Sequence, residues 1–450
     1  MYHRFMPKKP VADKTSSKPS RAASESSASV VTLSPRGVAR LKTGHPWVYR
    51  SDIASADGVA PGAMVRVADA RGKSLGTALY SSSSQIAIRM IAGFETPVSD
   101  LPALVAERIR AAIAYRKPIV ADTDAFRVVF SEADFLPGLI VDRYNDVVSV
   151  QILTQAMDAE PVRGAIIATL VEELKPEGIF ERVDPRIREL EQLPPRESGL
   201  LWGKKSSTIV RMNGVEDGRG RPSPHPSEST SDGRSAGVKF HYDAMEGQKT
   251  GSFLDQRENY AAAARYAHGK ALDVFCYQGG FALHLAAKCS SVTGVDSSRP
   301  ALEMADRNGE LNYPGREIEW IEANAFDLLR DYAGGGRETA RHASRKYDTV
   351  VLDPPAFAKT KRDLDKARSG YKELNLRALK MLGAGGIFVT CSCSFHLGAA
   401  EFTEVVADAA RDAHKSLRLL ESRGAAKDHP LLLNVPETGY LKCLIFHVSN

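Results

Sequence analysis

The sequence predicts an α/β protein. A Rossmann-like domain at the C-terminus follows a small β-barrel and a central α+β domain. Three observations carry that prediction. From residue 271 onward, short apolar runs alternate with segments of helical period, the pattern of a doubly wound sheet. One of those runs, 349–352, is stopped by Asp353-Pro354-Pro355. Two prolines lack N–H donors and cannot extend a sheet, so they leave a stiff elbow at a strand's carboxyl end, where open α/β sheets bind ligands. Between residues 30 and 91, short β-like runs are separated by Gly and Pro, as in a small barrel.

The whole chain sets limits. At 450 residues the length suits several domains. No stretch approaches the length of apolar sequence a transmembrane helix needs, so no membrane partner is expected. Net charge is +5, and residues 1–30 hold six Lys/Arg against Asp13 and Glu25. That balance permits a nucleic-acid partner without demanding one. The five cysteines, Cys276, Cys289, Cys391, Cys393 and Cys443, form no C-x-x-C pair. Neither a disulfide framework nor a metal site is expected, and a reducing cytoplasm fits best.

Taken in order, residues 1–29 are poor in apolar side chains and read as a disordered basic tail. Residues 30–98 form the barrel, with β runs at 30–33, 64–67, 74–80 and 86–91. Trp47 and Tyr49 offer faces for stacking on bases, and Arg40, Lys42 and Arg50 offer charge for phosphates. For Trp47 itself, a place in the barrel core is the favoured reading. Residues 101–115 have helical spacing. Strands at 127–130, 138–142 and 147–153, a helix at 162–174 and strands at 178–181 and 207–210 make a central α+β domain over 99–240. Residues 216–237, rich in Gly, Ser, Pro and Arg, read as a disordered insertion. The segments on either side, 209–215 and 238–242, read as one hairpin with an inflated tip. Residues 241–450 make the Rossmann-like domain.

Three strand ends in that last domain carry chemistry. The first strand, read over 271–275, carries Asp273 just before Tyr277-Gln278-Gly279-Gly280, where glycines let a cofactor approach the backbone. This is not the G-x-G-x-x-G that cradles a pyrophosphate. Asp273 instead puts a carboxylate where an ammonium can sit. Asp296 ends the second strand, suited to accept from two ribose hydroxyls. An amino-acid end, a ribose and no phosphate describe S-adenosylmethionine. Val389-Thr390-Cys391-Ser392-Cys393-Ser394 ends the strand after the Pro-Pro elbow. A thiolate there can add to carbon 6 of a pyrimidine and make carbon 5 nucleophilic. Strand period puts Cys391 and Cys393 on one face, so spacing does not choose between them.

At these residues the chain resembles the large-subunit 23S rRNA cytosine-C5 methyltransferases of the Rlm type. The likeness runs through Gly44-His45-Pro46-Trp47-Val48, residues 138–144 (Gly-Leu-Ile-Val-Asp-Arg-Tyr), residues 249–257 (Lys-Thr-Gly-Ser-Phe-Leu-Asp-Gln-Arg), Asp353-Pro354-Pro355-Ala356-Phe357 and Ser392-Cys393-Ser394. The resemblance implies a PUA-type barrel, a central domain and a class I S-adenosylmethionine-dependent methyltransferase domain. It implies Cys393 as nucleophile, with Asp353 and the Pro354 backbone holding the target base. Gln256 or Arg257, Asp273, Phe275, Gly279, Asp296, Asn324, Ala325 and Asp353 would line the cofactor. The partner implied is 23S rRNA, with a single-stranded or flipped-out cytosine, and a homodimer is compatible. The chain departs from the family at Gln278, Asn324 and Ala356. Two rivals stand beside this reading. One is amino-group methylation of nucleic acid through Asp-Pro-Pro, which normally has an aromatic residue where Ala356 stands. The other is a non-catalytic RNA-binding protein that keeps the fold.

Overall fold

The computed structural model describes residues 29–93, 98–214, 237–245, 253–334, 346–358 and 360–449. The expected basic tail, the insertion over 216–236 and residues 249–252 of the Lys-Thr-Gly-Ser stretch lie outside the described residues.

The first unit is a six-stranded sheet. It contains β1 (Val30–Leu33), β2 (Trp47–Tyr49), β3 (Ile53–Ser55), β4 (Met64–Ala68), β5 (Ser74–Tyr80) and β6 (Ile86–Ala92), in the order β2-β6-β5-β4-β1-β3. Alternation along each strand sends Val31, Leu33, Val48, Val65, Val67, Ala78 and Ile88 into one core. A helix that period alone did not reveal, α1 (Pro35–Lys42), starts at Ser34, whose Oγ accepts from the Gly37 N–H at 3.3 Å.

Trp47 is not barrel core. Val48 fills that place, so strand alternation turns Trp47 outward, where its Nε1 donates to Glu132 at 3.0 Å. An indole N–H needs a partner when covered, and the seam with the next unit supplies one. The neighbouring cations are also committed. The Arg40 guanidinium lies 4.6 Å from the Tyr49 ring centroid and pairs with Asp52, while Arg50 donates to the Ser81 and Ser84 carbonyls. Of the expected phosphate ligands, Lys42 alone stays exposed.

Helix α2 (Leu101–Arg116) leads into the central sheet. That sheet holds β7 (Ala125–Phe130), β8 (Leu139–Tyr144), β9 (Val147–Ile152), β10 (Gly178–Glu181) and β11 (Gly199–Gly203), in the order β11-β10-β9-β8-β7. Helix α3 (Glu160–Leu174) crosses over between the parallel strands β9 and β10, and α4 (Pro185–Leu190) follows β10. The fifth strand of this sheet is 199–203, not the expected 207–210. Residues Ser207–Met212 form β12, which pairs antiparallel with β13 (Val238–Asp243) from Ser207↔Asp243 to Met212↔Val238. The hairpin read from sequence is therefore present. The division drawn at 240/241 runs through β13. The 138–144 motif is structural: buried Asp142 takes two bonds from Arg127, at 2.8 and 2.9 Å, and Tyr144 stacks on Tyr242 of the hairpin.

The C-terminal sheet has the order β16-β15-β14-β17-β18-β20-β19. Its parallel strands are β14 (Lys270–Val274), β15 (Ser291–Asp296), β16 (Glu319–Glu322), β17 (Tyr347–Leu352) and β18 (Leu382–Ser392); β19 (Ser416–Arg423) and β20 (Lys442–Ser449) are antiparallel additions. Helices α5 (Arg257–Tyr266), α6 (Gly280–Ala286), α7 (Arg299–Asn312), α8 (Ala325–Tyr332), α9 (Leu364–Met381) and α10 (Ala399–Asp412) complete it. The strand order reverses at β14, between β15 and β17, which opens a crevice at the carboxyl ends. One apolar cluster joins Tyr144 and Phe180 of the central sheet to the hairpin and to α5, α6 and Cys391, so the hairpin is packed onto the domain that carries the site. Among the described residues no helix is long and apolar enough to cross a membrane.

Candidate active site

At the reversal point a cleft of about 280 Å³ is walled by the ends of β14, β15, β17 and β18. Its polar wall includes Asp255, Gln256, Asp296, Asp353, Cys393 and Tyr440; Met212 and Phe240 of the hairpin, with Phe253, Tyr260 and Phe281, make the apolar wall. The strand that ends in the Pro-Pro elbow thus opens into the same space as the glycine turn.

That turn is held in an uncommon conformation. Phe275 (φ 69°), Tyr277 (φ 49°) and Gly279 (φ 85°) all have positive φ. Two of the three are not glycine, so the turn is strained and must be fixed by its surroundings. The amides of Phe275 and Cys276 both donate to the Val295 carbonyl, and Asp296 Oδ2 accepts from Tyr277 N–H at 2.9 Å. Asp296 Oδ1 accepts from Ser298 N–H at 2.9 Å. Asp296 lines the cleft, and each of its oxygens can accept a further bond, which suits a diol. At Gly280 a Cβ would stand 2.5 Å from the Tyr260 ring, so the helix start can pack there only as glycine.

Asp273 lies beneath this turn and does not form part of the cleft wall. It is fully buried; Oδ2 accepts from Ala282 N–H at 2.8 Å and Oδ1 has no partner. Burial, reinforced by the carboxylates of Asp353 and Asp296, pushes its carboxyl up to about 8. A cation arriving above the turn would favour its ionised form.

Gln256 and Arg257 part ways. A 3₁₀ turn (Leu254–Gln256) meets α5 here, and the change of pitch points adjacent side chains apart. Gln256 faces the cleft and donates through Nε2 to Asp353 Oδ1 at 2.8 Å. Arg257 is fully buried away from the cleft and binds Asp122 at 2.6 Å and Asp428 at 3.4 Å. It ties units together and does not reach the cleft wall. Asn324 and Ala325 also lie outside the cleft wall. Asn324 is exposed and its Oδ1 caps α8, accepting from Phe326 and Asp327 N–H.

The two cysteines are separated by the end of the strand. β18 stops at Ser392, so the alternation that placed both on one face no longer holds at Cys393. Cys391 is fully buried opposite Cys443, and burial holds its thiol well above the usual range. Cys393 is half-exposed in the cleft, its Sγ 3.9 Å from the Pro354 carbonyl oxygen. The elbow is fixed to this strand end by a hydroxyl chain: Ser392 Oγ donates to Tyr371 Oη at 3.0 Å, and Ala358 N–H donates to Ser394 Oγ at 3.2 Å. Phe357 packs on Tyr371, with ring centroids 4.7 Å apart.

Sequence reasoning missed Asp255, which accepts from the Tyr440 hydroxyl. It also missed Tyr440 and Lys442 on the returning strand. Asp255 stood inside the quoted Leu-Asp-Gln-Arg stretch; Tyr440 and Lys442 had no local signal.

A model of a PUA-like domain matches residues 31–92, and a model of S-adenosylmethionine-dependent methyltransferases matches residues 152–447. Ribosomal RNA large subunit methyltransferase I of Photobacterium profundum is 36% identical over 416 residues, covering 91% of this chain and 96% of that protein. The protein of the same name from Pseudoalteromonas translucida is 36% identical over 414 residues, with the same coverage. Among solved structures, SMU.776, described as a methyltransferase and complexed with SAH, superposes with a TM-score of 0.73 at 18% identity, covering 93% of this chain and 99% of that one. That last likeness is one of fold.

Proposed function

Because this chain belongs to the S-adenosylmethionine-dependent methyltransferase family, we propose that it methylates carbon 5 of a cytosine in large-subunit 23S ribosomal RNA through a covalent bond from Cys393. The cofactor is S-adenosylmethionine. The residues present fit it: the unpartnered Asp273 oxygen under a positive-φ turn suits a cationic ligand, and Asp296 keeps acceptors for a ribose. When bound, it supplies the electrophilic methyl group.

The observation that carries the reading is the position of Cys393. Its thiol shares one cleft with the glycine turn, and the Pro354 carbonyl is within reach of the same bound base. Cytosine presents its exocyclic amino group as a donor, which matches the acceptors of Asp353 and the Pro354 carbonyl. The Cys393 thiolate adds to carbon 6, and the displaced π pair makes carbon 5 nucleophilic. After carbon 5 has gained its methyl, it loses its proton to a base. The 5,6 double bond re-forms and the carbon–sulfur bond breaks, returning the thiolate. The base must leave its stack to expose carbon 6. The ribosomal RNA substrate is supported by the names of the relatives and by the PUA-like match.

The amino-group alternative gains nothing from the elbow. The position after Pro355 is Ala356, and the Phe357 ring is occupied against Tyr371. The test is RNA bearing 5-fluorocytosine at the target. Fluorine cannot leave as a proton, so a denaturant-resistant protein–RNA adduct should form, dependent on S-adenosylmethionine. Cys393→Ala should abolish adduct and turnover; Cys391→Ala should keep both. Methyl on an exocyclic nitrogen, with no adduct, would overturn the proposal.

A further inference from the structure

Lys442 is a buried lysine held by two backbone carbonyls. It opens β20 directly opposite Ser392, the residue before the cleft cysteine, and is 7% exposed. Its Nζ donates to the Ser394 carbonyl at 2.6 Å and to the Tyr440 carbonyl at 2.8 Å. One of those acceptors belongs to the residue after Cys393, and the other to a residue of the cleft wall. Among the described residues no Asp or Glu lies within ion-pair reach of it. Burying an ammonium costs several kcal/mol unless charge of the opposite sign appears nearby. Carbonyl dipoles meet part of that cost. The anion that would complete the pairing is absent from the protein's permanent charges but arises whenever the cleft thiol ionises.

We propose that Lys442 is the positioning residue that holds Cys393 as a thiolate, so that the nucleophile is charged before the base arrives. This deepens the reading of Cys393 as nucleophile and rests on it. Among the described residues, the acids and phenols beside the thiol do not supply positive charge. Asp353 and Asp255 are acids of the cleft and oppose a second negative charge. The phenols of Tyr371 and Tyr440 also lie near it; burial raises both, so they stay neutral, and the Tyr440 hydroxyl donates its hydrogen bond to Asp255. The Arg127 charge also acts on Tyr440, but its guanidinium is committed to Asp142. Lys442 is a buried cation on which the Cys393 charge acts: burial pushes its ammonium down, the thiolate pushes it back up, and the net is about 8. When carbon 5 is deprotonated and the carbon–sulfur bond breaks, the same ammonium receives the departing thiolate. The thiol proton goes to solvent on ionisation and is not needed again, so the step balances within one turnover.

The test needs no RNA. Cys393 is the half-exposed cysteine and the other four are buried, so alkylation by iodoacetamide in the folded full-length protein reports on it, with Cys393→Ala as blank. The rate should rise with pH to a midpoint below that of an ordinary thiol. Lys442→Met should move the midpoint up by about 1–3 pH units, the range for losing a close opposite charge. Lys442→Arg should restore most of the shift. The acid limb of the methylation profile should move with it, while cofactor affinity stays the same. An unmoved midpoint in folded Lys442→Met would overturn the proposal and leave Lys442 as a tether for two carbonyls. Should that variant not fold, the reciprocal measurement decides. In Cys393→Ser the Lys442 Cε resonance should titrate at lower pH than in the native protein, and an unchanged titration is equally fatal. Failure of the cytosine reading would appear as a missing adduct with the midpoint shift intact, so the two failures are distinguishable.

Discussion

Replacing Asp273 by Asn should stabilise the cofactor-free protein at neutral pH and remove a proton from cofactor binding. The Asp273 carboxyl is pushed up to about 8 by burial, against about 3.9 in an unfolded chain. The folded chain therefore keeps a proton that the unfolded chain has lost. Stability from this group is fully present below about pH 4 and declines as pH rises toward 8, by about 1.4 kcal/mol per unit and at most about 4 kcal/mol at pH 7. Asn is neutral throughout, and its amide oxygen can still accept from Ala282 N–H. Its NH₂ would occupy the place of the unpartnered oxygen, at a cost of about 1–3 kcal/mol. The net gain at pH 7 should be about 1–3 kcal/mol, with a flatter melting-temperature profile between pH 5 and 8. Cofactor binding brings positive charge above the turn and should expel the proton. At pH 7 about 0.9 of a proton should leave per cofactor bound, if the carboxyl ionises completely. Titration calorimetry in two buffers of different ionisation enthalpy measures this directly. Lys442 also titrates near 8, so Asp273→Asn is the control that assigns the proton. Heats independent of buffer in the native protein, or proton release undiminished in Asp273→Asn, would refute the account.

Arg257→Ala should destabilise by up to about 3–5 kcal/mol, since it takes the guanidinium away from buried Asp428 and leaves that carboxylate only His429 and the Arg127 N–H; the folded fraction should bind S-adenosylmethionine normally by calorimetry, because the guanidinium is buried outside the cleft wall. Asp296→Ala should weaken that affinity ~5- to 150-fold, from a loss of about 1–3 kcal/mol in paired hydroxyls. It also frees the Tyr277 and Ser298 amides, so Asp296→Asn isolates the ribose contribution, and unchanged affinity in both would place the ribose elsewhere.

The part of the site legible in the sequence is the part made locally. Asp296 and Asp353 were readable because each closes a run rich in valine, and Asp273 because it stands in the strand that leads into the glycine turn; parallel strands of one sheet end in one crevice. The same logic failed one residue past a strand end. The run from Thr390 to Cys393 suits a strand throughout, so nothing in it marks the stop after Ser392 that buries Cys391 and leaves Cys393 in the cleft. The choice between Gln256 and Arg257 stayed open for a similar reason, because their directions depend on where a 3₁₀ turn becomes an α-helix. Outside the site, α1, β11 and β19 are short or edge elements whose apolar pattern is weak. Trp47 was misplaced because its partner, Glu132, is 85 residues away. Tyr440 and Lys442 reach the cleft through an antiparallel return, and Lys442 bonds Ser394 across 48 residues. The cofactor half of the cleft is thus built from consecutive strand ends and can be read in order. The half beside the thiol is built from the strand that runs back against them. If the chemistry at Cys393 is tuned by Lys442, the reaction is set where the sequence is least legible, and the fold that binds the cofactor leaves that choice open.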